Sequence, residues 1–200
     1  MKKSVLILGT VAGLALVTAC SPGEDRNAVD QTQDAVAGAV GQVSATTMGS
    51  NMISAYVPNA ARGDLYEVQA AAVALQKSTN DEVKALARMI DSDHKAATEN
   101  LKTAVASLNE SQTVPTDLDE RRKGMIDNLN TAPAADFDRV YLQQQVAAHE
   151  EALTLHRGFA DNTDAPALAE HARTVVPKIE AHLEKARQLL ASQTDTATTN

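Results

Sequence analysis

The chain has little of what β-rich, disulfide-bonded or nucleic-acid-binding proteins need. Aromatic residues make up 2% of its 200 residues and tryptophan is absent, which argues against a β-sandwich or barrel because those folds favour aromatic and β-branched side chains. The single cysteine excludes an intramolecular disulfide framework and a cysteine-based zinc site. The net charge of −8 excludes nucleic acid as a partner, because phosphate binding requires clustered Lys and Arg.

Alanine is what the chain has in excess, at about 18% of all residues. Alanine is the best helix former, and the abundant Leu, Glu, Gln, Lys and Arg follow it. The composition therefore predicts an all-α fold. The length favours one domain with additional segments.

The first segment, residues 1–19, has the pattern of a signal peptide. Lys2 and Lys3 precede an apolar run over residues 5–17, which is too short to span a bilayer, since spanning needs about 20 residues. Small residues stand directly before Cys20, and this arrangement resembles the lipobox of bacterial lipoproteins. The resemblance implies cleavage before Cys20 and acylation of its thiol and amine with chains such as palmitate. An ordinary secretion signal is the alternative.

Residues 20–51 are rich in small and polar residues and predict a flexible tether, because such a stretch buries too little apolar surface to offset its ordering entropy. A weak helix within residues 27–41 is the alternative. The anchor makes a membrane the expected partner, with the protein held in the cell envelope and facing the periplasm. Ser21, rather than Asp, follows the cysteine and favours the outer membrane. The sequence indicates no protein partner.

A helical period begins near Met52 and predicts a bundle domain over residues 52–191, followed by a disordered tail over 192–200. The predicted helices cover 54–78, 81–108, 117–129, 134–161 and 165–191. Thr116 and Asp164 are the expected caps of the third and fifth helices, and Pro177 is expected to kink the last helix or interrupt a hydrogen bond. Each long helix has one predicted inward stripe. In the first helix this stripe consists of Val57, Ala61, Leu65, Val68, Ala72 and Leu75.

The lengths of the connections between the helices predict the topology of the bundle. Two tight turns make two antiparallel hairpins, and about 25 residues with a short helix separate the hairpins. That connection is long enough to travel much of the bundle, which favours the one-crossover arrangement of ferritin-like bundles. A plain up-down-up-down bundle is the alternative. The basic run from Arg121 to Lys123 is predicted to be a solvated face of the short helix.

The order of several short motifs resembles a known family. These motifs are Gly63-Asp64-Leu65-Tyr66-Glu67-Val68, Asn80-Asp81-Glu82-Val83-Lys84, Met89-Ile90-Asp91-Ser92-Asp93-His94, Phe137-Asp138-Arg139-Val140-Tyr141, Val146-Ala147-Ala148-His149-Glu150-Glu151-Ala152-Leu153 and Val176-Pro177-Lys178-Ile179-Glu180-Ala181-His182-Leu183. The sequence is similar to the DUF4142 family of bacterial envelope proteins of unknown function. The resemblance implies a ferritin-like four-helix bundle and an envelope location, and it implies no established activity.

Several polar residues fall on or beside the predicted apolar faces. At 1.5 Å per residue from each hairpin turn, Glu67, His94 and His149 come to about the same level, with His182 somewhat further along. Three imidazoles and a carboxylate are a suitable set for one first-row transition metal ion. The residues expected to surround this set or to form a polar network are Asp91, Asp138, Tyr141, Gln145, His156 and His171.

Two hypotheses therefore stand side by side. In the first, the bundle is a tethered structural, stress-related or binding module. Its histidines form a hydrogen-bonded network in which each polar group has a partner within the network. In the second, Glu67, His94, His149 and His182 bind a single metal ion, which requires imidazole nitrogens closer than about 7 Å, since Zn–N bonds are about 2 Å long. A di-iron centre is not expected, because only Asp91 and His94 have the Glu-x-x-His type of spacing that such centres use twice. No catalytic motif is present in the sequence.

Overall fold

The computed structural model of the chain describes residues 51–108 and 111–198. Within these ranges the chain forms helices and no strand, which confirms the all-α prediction. The helices are α1 (Ile53–Lys77), α2 (Asp81–Ala106), α3 (Glu120–Thr131), α4 (Phe137–Phe159) and α5 (Pro166–Thr198). The predicted signal peptide, Cys20, Ser21 and the tether up to residue 50 lie outside the described residues.

Side-chain caps lie at the start of two of the helices. Oδ1 of Asn80 accepts hydrogen bonds from the backbone N–H groups of Glu82 and Val83 at the start of α2, which satisfies two donors that have no partner within the helix. Asp119 does the same for α3 through the N–H of Arg122, so the prediction of Thr116 as this cap was wrong and α3 begins three residues later than expected.

The start and the end of α5 also differ from the expectation. Oδ1 of Asn162 accepts from the N–H groups of Asp164 and Ala165 in the turn before α5, and α5 begins at Pro166, so the prediction of Asp164 as the residue directly before the helix was wrong. The helix continues through Pro177 and reaches Thr198, and it therefore includes most of the segment predicted as a tail. No glycine or proline follows Pro177, so the strongest breakers of a helix are absent from this stretch.

The long helices surround a common core, with α1 and α2 packed together and α4 and α5 packed together. Across the two hairpins, Tyr56 of α1 meets His156 of α4, while Tyr66 meets Gln144. The residue numbers rise on one helix as they fall on the other, so α1 and α4 are antiparallel. Glu82 with Lys185 and Asp93 with Lys178 show the same for α2 and α5.

These contacts decide between the two predicted topologies. Since α1 and α2 are joined by a short turn, and α1 is antiparallel to α4, the helices α2 and α4 point in the same direction. The chain must therefore cross from one end of the core to the other between them, and α3 lies in this connection. An up-down-up-down order does not fit the contacts.

Two sets of interactions hold α3 against the long helices. Nη2 of Arg121 donates to both carboxylate oxygens of Glu151 on α4, at 2.8 and 2.9 Å, and Nη2 of Arg122 donates to Oε1 of the same residue at 3.0 Å. Nζ of Lys77 on α1 donates to three backbone carbonyls at the other end of α3. The prediction that residues 121–123 form a solvated face was therefore wrong for both arginines, and Arg122 is buried.

The inward face of α1 differs from the predicted stripe. Leu65, Val68 and Leu75 are half-buried and Ala72 is exposed. The residues that are buried instead include Ala60, Asp64, Glu67, Ala71 and Ala74. Small alanine side chains let neighbouring helices approach closely, and two acidic residues point inward while Leu65, Val68 and Leu75 lie at the flanks. In α2 and α5 the predicted stripes are buried, apart from the half-buried residues Leu108 and Leu190.

The core divides along its length into two main apolar parts. One contains Tyr66, Ile90, Phe137, Tyr141 and Leu189 among others, and the other contains the residues Tyr56, Leu101, Phe159 and Leu168. On each of the four long helices, a polar residue lies between the two parts. Within the described ranges, no helix is long and apolar enough to cross a membrane.

Candidate metal site

Three histidines from three helices meet in the middle of the core. His94 of α2, His149 of α4 and His182 of α5 each offer one ring nitrogen, and these nitrogens all lie within 4.8 Å of one another. The three side chains are almost completely buried, with 6%, 1% and 1% of their residue surfaces exposed. The distances between these nitrogens are therefore below the limit of about 7 Å for ligands of one metal ion.

The second ring nitrogen of each histidine faces an oxygen acceptor. Nδ1 of His94 lies 2.8 Å from Oδ1 of Asp64. Nδ1 of His149 lies 2.9 Å from the backbone carbonyl of Gln145. Nε2 of His182 lies 3.0 Å from Oδ2 of Asp93. Histidines that bind metals typically donate their other N–H to a carboxylate or a carbonyl, which fixes the ring and its tautomer.

These outer hydrogen bonds determine which nitrogens carry protons. A backbone carbonyl can only accept, so Nδ1 of His149 carries the proton and Nε2 has a lone pair when the ring is neutral. By the same argument, Nδ1 of His182 has a lone pair. These two atoms face each other at 3.2 Å, so two lone pairs point at one another unless a cation lies between them.

The charge states follow from burial and from the nearest acidic groups. Burial lowers the pKa of His149 well below 6.5, and the positive charges of His94 and His182 lower it further. Burial and the charge of His94 also lower the pKa of His182, although Asp93 opposes them. Burial alone would lower the pKa of His94, but the hydrogen bond and the charge of Asp64 outweigh it and raise this pKa.

Nε2 of His94 is the least satisfied atom of the set. It is buried and has no hydrogen-bond partner among the described residues. A neutral His94 would leave a buried lone pair unused, and a protonated one would leave a buried N–H without an acceptor. Both states cost free energy. The network hypothesis requires that the histidines satisfy one another, and this atom does not meet that requirement.

Glu67, the fourth predicted ligand, lies beside the set rather than within it. Its Oε1 is 3.6 Å from Nδ1 of His149, which is the outer nitrogen of that ring. Its Oε2 has no hydrogen-bond partner within the described part of the chain. Burial raises the pKa of Glu67 to about 7, against the charge of His94 and the amide of Gln145, which act in the opposite direction.

Two acidic partners of the histidines were missed in the sequence. Asp64 lies outside the stripe that the sequence predicted for α1, although it stands one helical turn before Glu67 and therefore shares its face. Asp93 directly precedes His94 but reaches His182 on the neighbouring helix. Asp91, which the sequence favoured, pairs instead with Lys95, whose side chain is exposed, and not with a histidine of the set.

A second layer contains His156 and His171, one from α4 and one from α5. The ring centroids of these residues are 5.8 Å apart, and Nδ1 of His156 lies 2.9 Å from the hydroxyl of Tyr56. Neither ring nitrogen of His171 has a hydrogen-bond partner among the residues described. Burial lowers the pKa of both histidines, and the charge of His171 lowers that of His156 further.

The remaining predicted residues have different surroundings. Gln145 supplies the carbonyl that receives the N–H of His149. Oδ1 of Asp138 and the hydroxyl of Tyr141 are buried without a hydrogen-bond partner in the described ranges, and neither is hydrogen-bonded to the three histidines. The role assigned to these two residues stays a prediction.

The comparisons with known proteins bear on the whole domain rather than on the site. No curated protein and no solved structure matches the chain at a significant level. One family model matches residues 38–189, about three quarters of the chain, and it is described as a domain of unknown function. By this match, the chain belongs to the DUF4142 family.

Proposed function

We propose that the protein binds one divalent first-row transition metal ion through His94, His149 and His182. The observation that carries this proposal is the convergence of three imidazole nitrogens within 4.8 Å, each on a ring whose other nitrogen faces an oxygen acceptor. A divalent ion between them would use the lone pairs of His149 and His182 and the partnerless Nε2 of His94.

The surrounding charge supports a cation at this position. The side chains of Asp64, Glu67 and Asp93 lie against the three rings. The pKa of Asp93 is lowered, because its hydrogen bonds to Lys178 and His182 outweigh its partial burial, and it therefore carries a negative charge. Imidazole ligands suit Zn, Cu, Fe and Ni. The three histidines support a mononuclear site rather than a di-iron site, which uses four carboxylates.

Metal analysis of the mature domain, purified without a histidine tag from metal-replete medium, tests the proposal. We expect about one equivalent of metal in the wild-type protein and almost none in His149→Ala. His171→Ala is the matched control, because His171 is also buried but lies outside the set, and it should retain the metal. A substoichiometric metal content in the folded wild-type protein would overturn the proposal.

We also propose that this domain is held at the surface of a bacterial membrane through an acylated Cys20, with the outer membrane favoured by Ser21. The supporting observations are the lysines, the apolar run and the small residues that precede the single cysteine. A ferritin-like bundle accords with the parallel direction of α2 and α4 and with the crossing position of α3. A tethered module of this kind would take up or hold its metal within the envelope.

A further inference from the structure

A small cavity lies next to His94, between α1, α3 and α4. Its volume is about 30 Å³, whereas a single water molecule needs roughly 10–15 Å³ by the same kind of measure. Four of the residues that line it have a side chain no larger than a methyl group, and these are Ala60, Gly63, Ala148 and Ala152. The cavity therefore exists because small residues face each other across the α1–α4 contact.

The cavity reaches the histidine set through one residue. His94 contributes to its wall, as do the neighbouring carboxyl groups of Asp64 and Glu67. His94 is also the residue whose Nε2 has no hydrogen-bond partner among the described residues. On the α3 side the wall includes Arg121 and Arg122, so positive as well as negative groups line the space.

Three histidine ligands leave one position of a four-coordinate metal open, and catalytic zinc sites keep such a position for water or substrate. We propose that this cavity admits a small inorganic ligand, water or a monoanion of two or three heavy atoms, to the open coordination position of the metal. The inference rests on the proposed metal site. It adds a route of access and a limit on the size of the ligand.

Gly63 offers a direct way to close the cavity. Gly63 lines the cavity, and a Cβ atom built there meets no heavy atom within 4 Å, so the first atom of a larger side chain can be added without displacing a neighbour. Gly124 on α3 has the same property and does not line the cavity. In both helices the replacement of glycine also improves helix propensity, so Gly63→Leu and Gly124→Leu form a matched pair.

The test uses Co²⁺ as the metal and azide as the ligand, because the visible absorption of Co²⁺ reports its coordination. Wild-type protein and both glycine variants are loaded with Co²⁺ and then titrated with azide. We expect azide to change the spectrum of the wild-type protein and of Gly124→Leu. In Gly63→Leu the apparent azide affinity should fall by about tenfold or more, while Co²⁺ still binds.

The outcomes separate this inference from the metal proposal. Absence of Co²⁺ binding to the folded wild-type protein would overturn both. Binding of Co²⁺ without an azide response, or an equal response in Gly63→Leu and Gly124→Leu, would overturn the access route alone. If Gly63→Leu does not fold, the size limit can still be tested by adding imidazole to the Co²⁺-loaded wild-type protein. Imidazole is too large for the cavity and should leave the spectrum unchanged. A spectral change with imidazole equal to that with azide would overturn the size limit.

Discussion

Nε2 of His149 and Nδ1 of His182 face each other at 3.2 Å, and the other nitrogen of each ring faces an oxygen acceptor that takes the single proton of a neutral ring. Two neutral imidazoles in this arrangement repel each other unless a cation lies between them. His94 completes the group with a nitrogen that has no hydrogen-bond partner in the described part of the chain. The arrangement leads to predictions about metal binding, proton binding and stability.

Metal binding should stabilise the folded protein by mass action. Zn²⁺ at about 100 times its dissociation constant should raise the free energy of unfolding by about 2.7 kcal/mol, since the ion binds the folded state. In His94→Ala the increase should vanish. Urea denaturation with and without Zn²⁺ measures the effect, and His156→Ala should still respond, because its ring pairs with Tyr56. An equal response in His94→Ala would show that zinc binds elsewhere.

The outer carboxylate of His182 should matter for metal affinity. Asp93→Asn removes the charge that orients the ring and raises the basicity of its nitrogen, so the metal affinity should fall by about 10- to 100-fold. Asp91→Asn is the matched control, because Asp91 pairs with Lys95 outside the set. Isothermal titration of both variants with Zn²⁺ makes the comparison. Equal losses in the two variants would contradict a specific role of Asp93.

The metal-free protein should lose stability on acidification below pH 6.5. Burial lowers the folded-state pKa of His149, His156, His171 and His182 below the unfolded value of 6.5. At pH values between the folded-state pKa and the unfolded-state pKa of these histidines, the unfolded chain binds protons that the folded chain does not. The free energy of unfolding therefore falls as the pH falls. Glu67, whose pKa is raised from 4.5 to about 7, and His94, whose pKa is raised above 6.5 by the hydrogen bond and the charge of Asp64, act in the opposite direction over that interval.

Urea denaturation of the metal-free protein at about pH 7 and about pH 5.5 measures this dependence. Four histidines outweigh Glu67 and His94, so the net slope should be positive, at up to about 1.4 kcal/mol per pH unit for each unbalanced proton. His171→Asn should reduce the slope, because asparagine does not titrate. A free energy of unfolding that is constant over this interval would contradict the burial of neutral imidazoles.

The contact between the crossing helix α3 and α4 should depend on one carboxylate. Glu151→Gln leaves the buried guanidinium of Arg122 without its charged partner on α4 and should destabilise the protein by about 3–5 kcal/mol, as is typical for the loss of one member of a buried pair. The adjacent Glu150 pairs with Arg187, with both side chains 51% exposed, so Glu150→Gln should cost less than about 1 kcal/mol. Thermal or urea unfolding of the two variants compares them, and similar losses would argue against the buried pair.

Membrane attachment should require the single cysteine. Expressed in a bacterium with a lipoprotein pathway, Cys20→Ser should move the protein from the membrane fraction to the soluble fraction, because no other site for acylation by that pathway remains. Ser21→Ala is the control and should remain with the membrane. Fractionation and the mass of the mature N-terminus provide the readout. A Cys20→Ser protein that still fractionates with the membrane would exclude a lipid anchor at this residue.

The difference between α1 and the other helices explains why part of the site was predictable. On α2 and α5 the large apolar residues form one stripe, so the inward positions of His94 and His182 follow from their spacing. On α1 apolar residues occur all around the helix, because Tyr56, Tyr66 and several alanines are buried while Leu65, Val68 and Leu75 are half-buried. The prediction chose the side with Leu65 and Val68, and it therefore missed Asp64.

The acidic partners could not be assigned from spacing alone. Asp91 and Asp93 both stand close to His94 in the sequence, and the i, i+3 relationship favoured Asp91. In the folded protein Asp93 reaches across to α5, where it contacts His182 and Lys178. A contact between helices depends on their relative rotation and axial shift, and neither quantity is encoded in the period of a single helix.

Local chemistry in the sequence was sufficient to predict the helical content and most of the breaks between helices. It was also sufficient to predict that five histidines lie at inward positions. Backbone propensity and the 3.6-residue period act over a few neighbouring residues, so they can be read along the chain. The tertiary structure alone decided that three imidazoles face one another, with an oxygen acceptor beside the outer nitrogen of each ring, and that a cavity lies next to His94. These features arise from the packing of four helices against one another, because close contact across α1 and α4 depends on alanine and glycine residues that are far apart in the chain.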